Sequence, residues 1–215
     1  DGTPLPGVTG VSATIAKLVP PSGGESFNKW VSYIYRTQTV SGSAMGDWPA
    51  PDGTAAEQAY RENNGTLVDN GDGSYEYTFA TNLASVMKPV SMTPVTYEMG
   101  LRHRVSIMMG GGAGPTADAN FDFVPDGSAL AGKEHRDIVP TEMCMNCHGP
   151  SFAGHGGDRQ SVENCVTCHN PGNVDPHGGE TVDFQTMIHK IHAGGELASI
   201  PGPDGVVWDN PATPA

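Results

Sequence analysis

Asp69-Asn70-Gly71-Asp72-Gly73, running into Ser74-Tyr75-Glu76-Tyr77-Thr78-Phe79, is the stretch that decides the architecture. Its first five residues tolerate positive φ or hydrogen-bond their own backbone, which makes a tight turn. The next six alternate polar and aromatic with a period of two, the signature of a strand that buries one face. The pentapeptide also offers oxygen ligands for calcium, but it lacks the full twelve-residue loop pattern, so a hairpin turn is the reading adopted. Asn64-Gly65-Thr66, just upstream, matches a glycosylation acceptor and is taken as a chance match.

Outward from this hairpin, residues 11–19 (Val-Ser-Ala-Thr-Ile-Ala-Lys-Leu-Val) and Trp30-Val31-Ser32-Tyr33-Ile34-Tyr35 are β-branched and aromatic, separated by Pro20-Pro21-Ser22-Gly23-Gly24. Both read as strands, as do residues 102–109 and 120–124. Short strands between turn signals predict a mainly β domain, a sandwich or barrel, over residues 1–130. Ala55-Ala56-Glu57-Gln58-Ala59-Tyr60-Arg61 reads as a short helix or an elaborated loop. From Gly127 onward the pattern changes to glycine, histidine and cysteine with little apolar periodicity, which predicts an irregular segment over 131–215 with few short helices and few protein hydrophobes. The exception is residues 183–192, a helix capped by Asp183 and stopped by Gly194-Gly195.

With 29 Gly, 18 Pro and 16% charged residues in 215, the chain is rich in loops and turns. Its net charge of −13 makes nucleic acid and anionic membrane surfaces poor partners and favours cationic partners, metal ions or mineral surfaces. No run approaches the roughly 18 to 20 apolar residues of a membrane span. No signal peptide precedes Asp1, so an exported form would already have lost its targeting segment.

All four cysteines fall in two pentapeptides, Cys144-Met145-Asn146-Cys147-His148 and Cys165-Val166-Thr167-Cys168-His169. Cys-x-x-Cys-His supplies two thioether anchors and one axial iron ligand for a covalently bound haem c. Two copies that consume every cysteine predict two haems. The rival is zinc, because 17 residues between Cys147 and Cys165 fit a four-cysteine site. Zinc needs no histidine after each pair, however, and both pairs have one. A thioredoxin-like redox pair is disfavoured because nothing nearby reads as a βαβ unit.

If His148 and His169 are the proximal ligands, each iron needs a sixth. His155, in Gly154-His155-Gly156-Gly157, and His189 and His192 are the candidates. A spacing of three puts His189 and His192 on one helical face at different heights, so they suit two different irons. His103, His135 and His177 read as solvated or hydrogen-bonded side chains. Met143, Met145 or Met187 would give His/Met ligation and a higher potential, but abundant histidine favours bis-His centres with low potentials and no open site.

Several segments resemble the OmcA/MtrC family of outer-membrane decahaem cytochromes. They are Arg136-Asp137-Ile138-Val139, His155-Gly156-Gly157-Asp158-Arg159, Cys165-Val166-Thr167-Cys168-His169-Asn170-Pro171-Gly172, and residues 182–194. The likeness extends upstream through Ile15-Ala16-Lys17-Leu18-Val19-Pro20, Trp30-Val31-Ser32-Tyr33-Ile34, the Asn70-Gly71-Asp72-Gly73-Ser74-Tyr75 turn and Phe123-Val124-Pro125-Asp126-Gly127. It implies a Greek-key, split-barrel-like β domain followed by a haem-packed multihaem domain. It further implies a bacterial protein, exported to the extracellular face of the outer membrane or secreted.

The family relation also implies bis-His ligation, with His155, His189 and His192 as distal ligands, and transfer to metal oxides, flavins or other cytochromes. The chain departs from the decahaem pattern in carrying two haem motifs, and three distal histidines for two irons leave one over. Asp1-Gly2-Thr3-Pro4-Leu5-Pro6-Gly7 resembles the middle of the family's first β unit, which leads us to expect part of a longer multihaem protein. A subunit of an extracellular cytochrome filament, a homopolymer, is the alternative. The expected activity is electron carriage rather than enzymatic conversion; a terminal reductase would need an exchangeable iron ligand.

Overall fold

The computed structural model describes residues 5–40, 53–110, 115–176 and 180–193. Among these residues ten strands precede three short α-helices, with a 3₁₀ turn at Leu83–Ser85 between the sixth and seventh strands. The strands are β1 (Val11–Val19), β2 (Lys29–Ser32), β3 (Tyr35–Thr39), β4 (Ala55–Ala59), β5 (Thr66–Asp69), β6 (Tyr75–Thr78), β7 (Val86–Met87), β8 (Pro94–Val95), β9 (His103–Met109) and β10 (Ala117–Phe123). The helices are α1 (Thr141–His148), α2 (Val162–Cys165) and α3 (Phe184–Ala193). A four-stranded antiparallel sheet runs β10-β9-β1-β2, and β3-β4, β5-β6 and β7-β8 form separate two-stranded pairs. The architecture is thus mainly β with few short helices.

The opening hairpin is β5-β6, with Asp69 opposite Tyr75. Its turn carboxylates are spent on local donors: Asp69 accepts from Gly71 N at 2.8 Å, and Asp72 from Ser74 N at 2.9 Å. That is a turn, and it leaves these oxygens engaged rather than gathered for calcium. Two expectations fail. Trp30 to Tyr35 is not one strand, because the Ser32 hydroxyl accepts from Ile34 N at 3.1 Å and bends the backbone, sending β3 away from β2. Residues 55–59 form a strand, not a helix or loop: pairing with β3, from Tyr35–Ala59 to Thr39–Ala55, overrides the helical preference of Ala, Glu and Gln.

Strand β1 is buried from Ser12 to Leu18, so successive side chains enter two different cores. Ile15 joins Tyr33, Ile34, Val86 and Val95 on one face. Ala16 and Leu18 join Trp30, Val162, Val166 and Phe184 on the other, with Cys144, Cys165 and Met187 packed around them. The cysteine-bearing segment therefore contributes ordinary apolar side chains to a shared core, more than its composition suggested.

Trp30 Nε1 on β2 is buried with no hydrogen-bond partner, whereas His103 and Asp122 in the same sheet are paired. His103 is fully buried; its Nδ1 faces the Leu101 carbonyl at 2.9 Å and so carries the proton, leaving Nε2 to accept from the Tyr33 hydroxyl at 2.8 Å. Burial pushes its pKa down, and the ring stays neutral. It is a hydrogen-bonded core residue.

Asp122 bridges Arg104 at 2.6 Å and Arg102 at 3.1 Å. Burial alone would raise its pKa, but the two guanidiniums outweigh burial and hold the carboxyl below the usual range. The ionised form is favoured more in the folded than in the unfolded chain. The stabilisation is therefore full above the unfolded value of about 3.9 and is lost as pH falls through it toward the lower folded value. Denaturant midpoints measured from pH 7 down to pH 3 are expected to show Asp122→Asn less stable at neutral pH and less sensitive to acid.

Candidate haem-binding site

The second Cys-x-x-Cys-His is built into the core. Helix α2 starts at the cap residue Ser161, whose hydroxyl accepts from Asn164 N at 3.3 Å. Asp118 of β10 fixes that start by accepting from Gln160 N, Ser161 N and Ser161 Oγ at 3.0, 3.0 and 2.7 Å. Val166 and Thr167, the two variable positions of the motif, are buried. Thr167 Oγ1 donates to Asn164 O at 2.7 Å and meets Thr14 Oγ1 of β1 at 2.7 Å, which pins the pentapeptide to the central strand.

His169 has a defined orientation. Its Nδ1 lies 2.9 Å from the Val182 carbonyl, so Nδ1 donates and Nε2 keeps its lone pair. That Nε2 points at His155 Nε2, 3.5 Å away, with the rings stacked at 23° and centroids 5.8 Å apart. Two metal–imidazole bonds of about 2 Å each span about 4 Å, close to the observed separation.

His155 reaches this position through a left-handed turn: His155, Gly156 and Gly157 have φ of 52°, 85° and 105°, and Gly154 N closes it on Arg159 O at 2.8 Å. Only glycine adopts such angles freely, so His155 carries strain of about 1–2 kcal/mol. The pair opens onto a cleft of about 770 Å³ lined also by Cys168, Arg36, Arg61 and Arg159.

The first motif forms α1 and is more open. Cys144 is half-buried, whereas Cys147 and His148 are exposed. The His148 ring meets His192 at a centroid distance of 5.9 Å and 73°, and Phe152 at 5.6 Å. His192 sits on α3, whose start is capped by Asp183 accepting from Thr186 N at 3.3 Å. Its Nδ1 donates to Ile188 O at 2.8 Å, leaving the lone pair on Nε2.

Of the five site histidines, four form two ring pairs, His169 with His155 nitrogen to nitrogen and His148 with His192 edge to face. His189 is exposed and has no hydrogen bond or ring partner among the described residues. His135 is exposed beside Asp137 at 3.4 Å, and His177 and Gly194-Gly195 lie outside the described residues. Met187 is spent on the shared core, and Met143 is 58% exposed with Asn146 Nδ2 3.8 Å from its sulfur.

Burial pushes the Cys165 thiol up to about 12 and the Cys168 thiol up to about 11. Burial also lowers the pKa of His155 and His169, which keeps both imidazoles neutral and able to donate a lone pair to a metal. Protonated thiols argue against a reactive thiolate pair. Among the described residues no three of His, Cys, Asp or Glu gather as a metal cage, so the geometry does not favour four-cysteine zinc. The cleft, its opposed lone pairs and adjacent cysteine fit haem. Arg36 and Arg61 were invisible to motif reading, because their nearness to Cys168 depends on the β3-β4 pairing.

A strand-rich unit joined to two Cys-x-x-Cys-His segments with facing histidines defines a multihaem c-type cytochrome. The OmcA-like N-terminal domain profile matches residues 21–129, and that of the outer membrane cytochrome MtrC/MtrF-like domains II/IV matches residues 136–206. The chain belongs to the OmcA/MtrC family of outer-membrane multihaem cytochromes.

The multiheme cytochrome MtrC of Shewanella baltica (strain OS185) is 35% identical over 143 residues, 63% of this chain and 20% of that protein. The crystal structure of the outer membrane decaheme cytochrome OmcA has a TM-score of 0.73 at 35% identity, covering 86% of this chain and 28% of its own. For the crystal structure of MtrC from Shewanella baltica OS185 the values are 0.62, 26%, 99% and 32%. The chain spans between a fifth and a third of the length of these relatives.

Proposed function

We propose that this chain relays electrons through two covalently bound bis-His haems, as a β unit over 1–130 followed by a dihaem segment over 131–215. Cys144 and Cys147, and Cys165 and Cys168, are the thioether anchors, with His148 and His169 as proximal ligands. His192 and His155 are the respective distal ligands, and His189 ligates an iron other than these two. Haem supplies an iron that changes between ferric and ferrous states with no substrate bond made or broken.

The residues of this chain hold, orient and close off the iron positions. The Val182 and Ile188 carbonyls fix the tautomers of His169 and His192, and the strained Gly-rich turn presents His155. The observation that carries the reading is the approach of His155 Nε2 to His169 Nε2 at 3.5 Å above the second motif. Family membership supports a place at the outer membrane, exported and facing outward, with other cytochromes, flavins or metal oxides as partners. Among the described residues no helix is long and apolar enough to cross a membrane. Carbon monoxide added to the reduced, haem-loaded protein is expected to leave its visible spectrum unchanged. A large shift would mean an open iron and a reductase rather than a carrier.

A further inference from the structure

Three of the six arginines in this acidic chain, Arg36, Arg61 and Arg159, line the cleft beside His155 and His169. Two of them share one carboxylate: Arg61 reaches Asp158 at 3.3 Å, and Arg159 also pairs with it. Arg36 meets neutral groups, the Gln58 amide oxygen at 3.0 Å and the Tyr60 ring at 4.0 Å from its guanidinium carbon. Its Nε is buried with no acceptor. A buried donor left unpaired is costly, so a small turn of the guanidinium that brings it to an acceptor in the cleft is favoured. Counted against Asp158 and Asp175, the three guanidiniums leave the wall with a surplus of positive charge.

We propose that Arg36, assisted by Arg61, binds a propionate of the haem held at Cys165 and Cys168, so that strand β3 and the residues after β4 set that haem's potential. The inference rests on the reading that this motif carries haem. A carboxylate suits both the orphan Nε and the cationic wall, because a charge-assisted hydrogen bond to a guanidinium is about twice as strong as a neutral one. A fixed positive charge near the iron favours the less positive, ferrous state, and so raises the potential. Arg36 is here a positioning and tuning residue.

The test is potentiometric titration of the full haem-loaded chain, with haem counted by pyridine haemochrome in every sample. In Arg36→Gln one of the two reduction steps is expected to fall by about threefold to tenfold in its equilibrium constant, tenfold being 59 mV for one electron. The other step stays in place, and Arg36→Lys retains most of the wild-type potential. The pH at which the moving step becomes pH-dependent is expected to rise as the propionate loses its partner. If Arg36→Gln does not fold, Arg61→Gln carries the same expectation with a smaller shift.

Two haems with neither step moved overturns the inference. So does an equal fall in both steps, or an Arg36→Lys variant as low as Arg36→Gln, each of which marks a general structural disturbance. A wild-type chain without haem at Cys165 and Cys168 instead overturns the reading beneath it.

Discussion

Replacing His155 by glycine is expected to open the second iron to carbon monoxide while leaving the fold intact. His155 sits at a φ of 52°, where a side chain costs about 1–2 kcal/mol that glycine does not. Its imidazole faces only His169 among ring partners, and burial already lowers its pKa, so no buried ion pair is lost with it. The variant separates ligation from architecture: the far-ultraviolet circular dichroism spectrum is unchanged, while the reduced spectrum shifts on adding carbon monoxide and recovers with exogenous imidazole. His189→Ala is the contrast. Its ring has no partner among the described residues, so the same experiment should give no carbon monoxide signal at either of the two irons proposed here. A carbon monoxide signal from His189→Ala and none from His155→Gly would reverse the assignment of the two histidines.

Leu18→Ala is expected to lower unfolding free energy by about 3–4 kcal/mol, measured by urea unfolding of the haem-loaded protein. Leu18 is fully buried, and its cluster joins Trp30 of β2 to Val162 and Val166 around α2 and Phe184 of α3. Truncation therefore leaves a cavity at the junction of the sheet with the cysteine-bearing segment, and neither side can collapse without moving Cys165. Phe121, 68% exposed on β10, makes the control: Phe121→Ala should change stability by less than about 0.5 kcal/mol. Equal effects at the two positions would mean that the shared core does not hold the halves together.

What the sequence revealed and what it hid divide along the distance between interacting residues. The β5-β6 hairpin was legible because its turn chemistry and its alternation lie within a dozen residues. The strand character of Ala55–Ala59 was not, because it comes from pairing with β3. The Ser32 bend escaped notice because a single hydroxyl breaks a run whose side chains all favour extension.

At the site, the two cysteines and one histidine of each pentapeptide stand out in the sequence because covalent haem attachment would require that spacing. The candidate distal histidines could be enumerated but not paired. Pairing depends on a left-handed turn at residues 155–157 and on where α3 places His192 relative to α1, neither of which leaves a local trace. Of His189 and His192, three residues apart on one helix, it is His192 whose ring meets His148 among the described residues. The arginine wall had no sequence signature, since Arg36 and Arg159 lie more than a hundred residues apart.

Every assignment proposed above depends on covalent haem at both pentapeptides. Intact mass under denaturing conditions, alongside a pyridine haemochrome assay, tests it most directly in protein from a host that matures c-type cytochromes. The prediction is a mass equal to the polypeptide plus two haems, with two haemochromes per chain. A mass of the polypeptide alone with free or zinc-bound thiols, in protein that is folded, would contradict it.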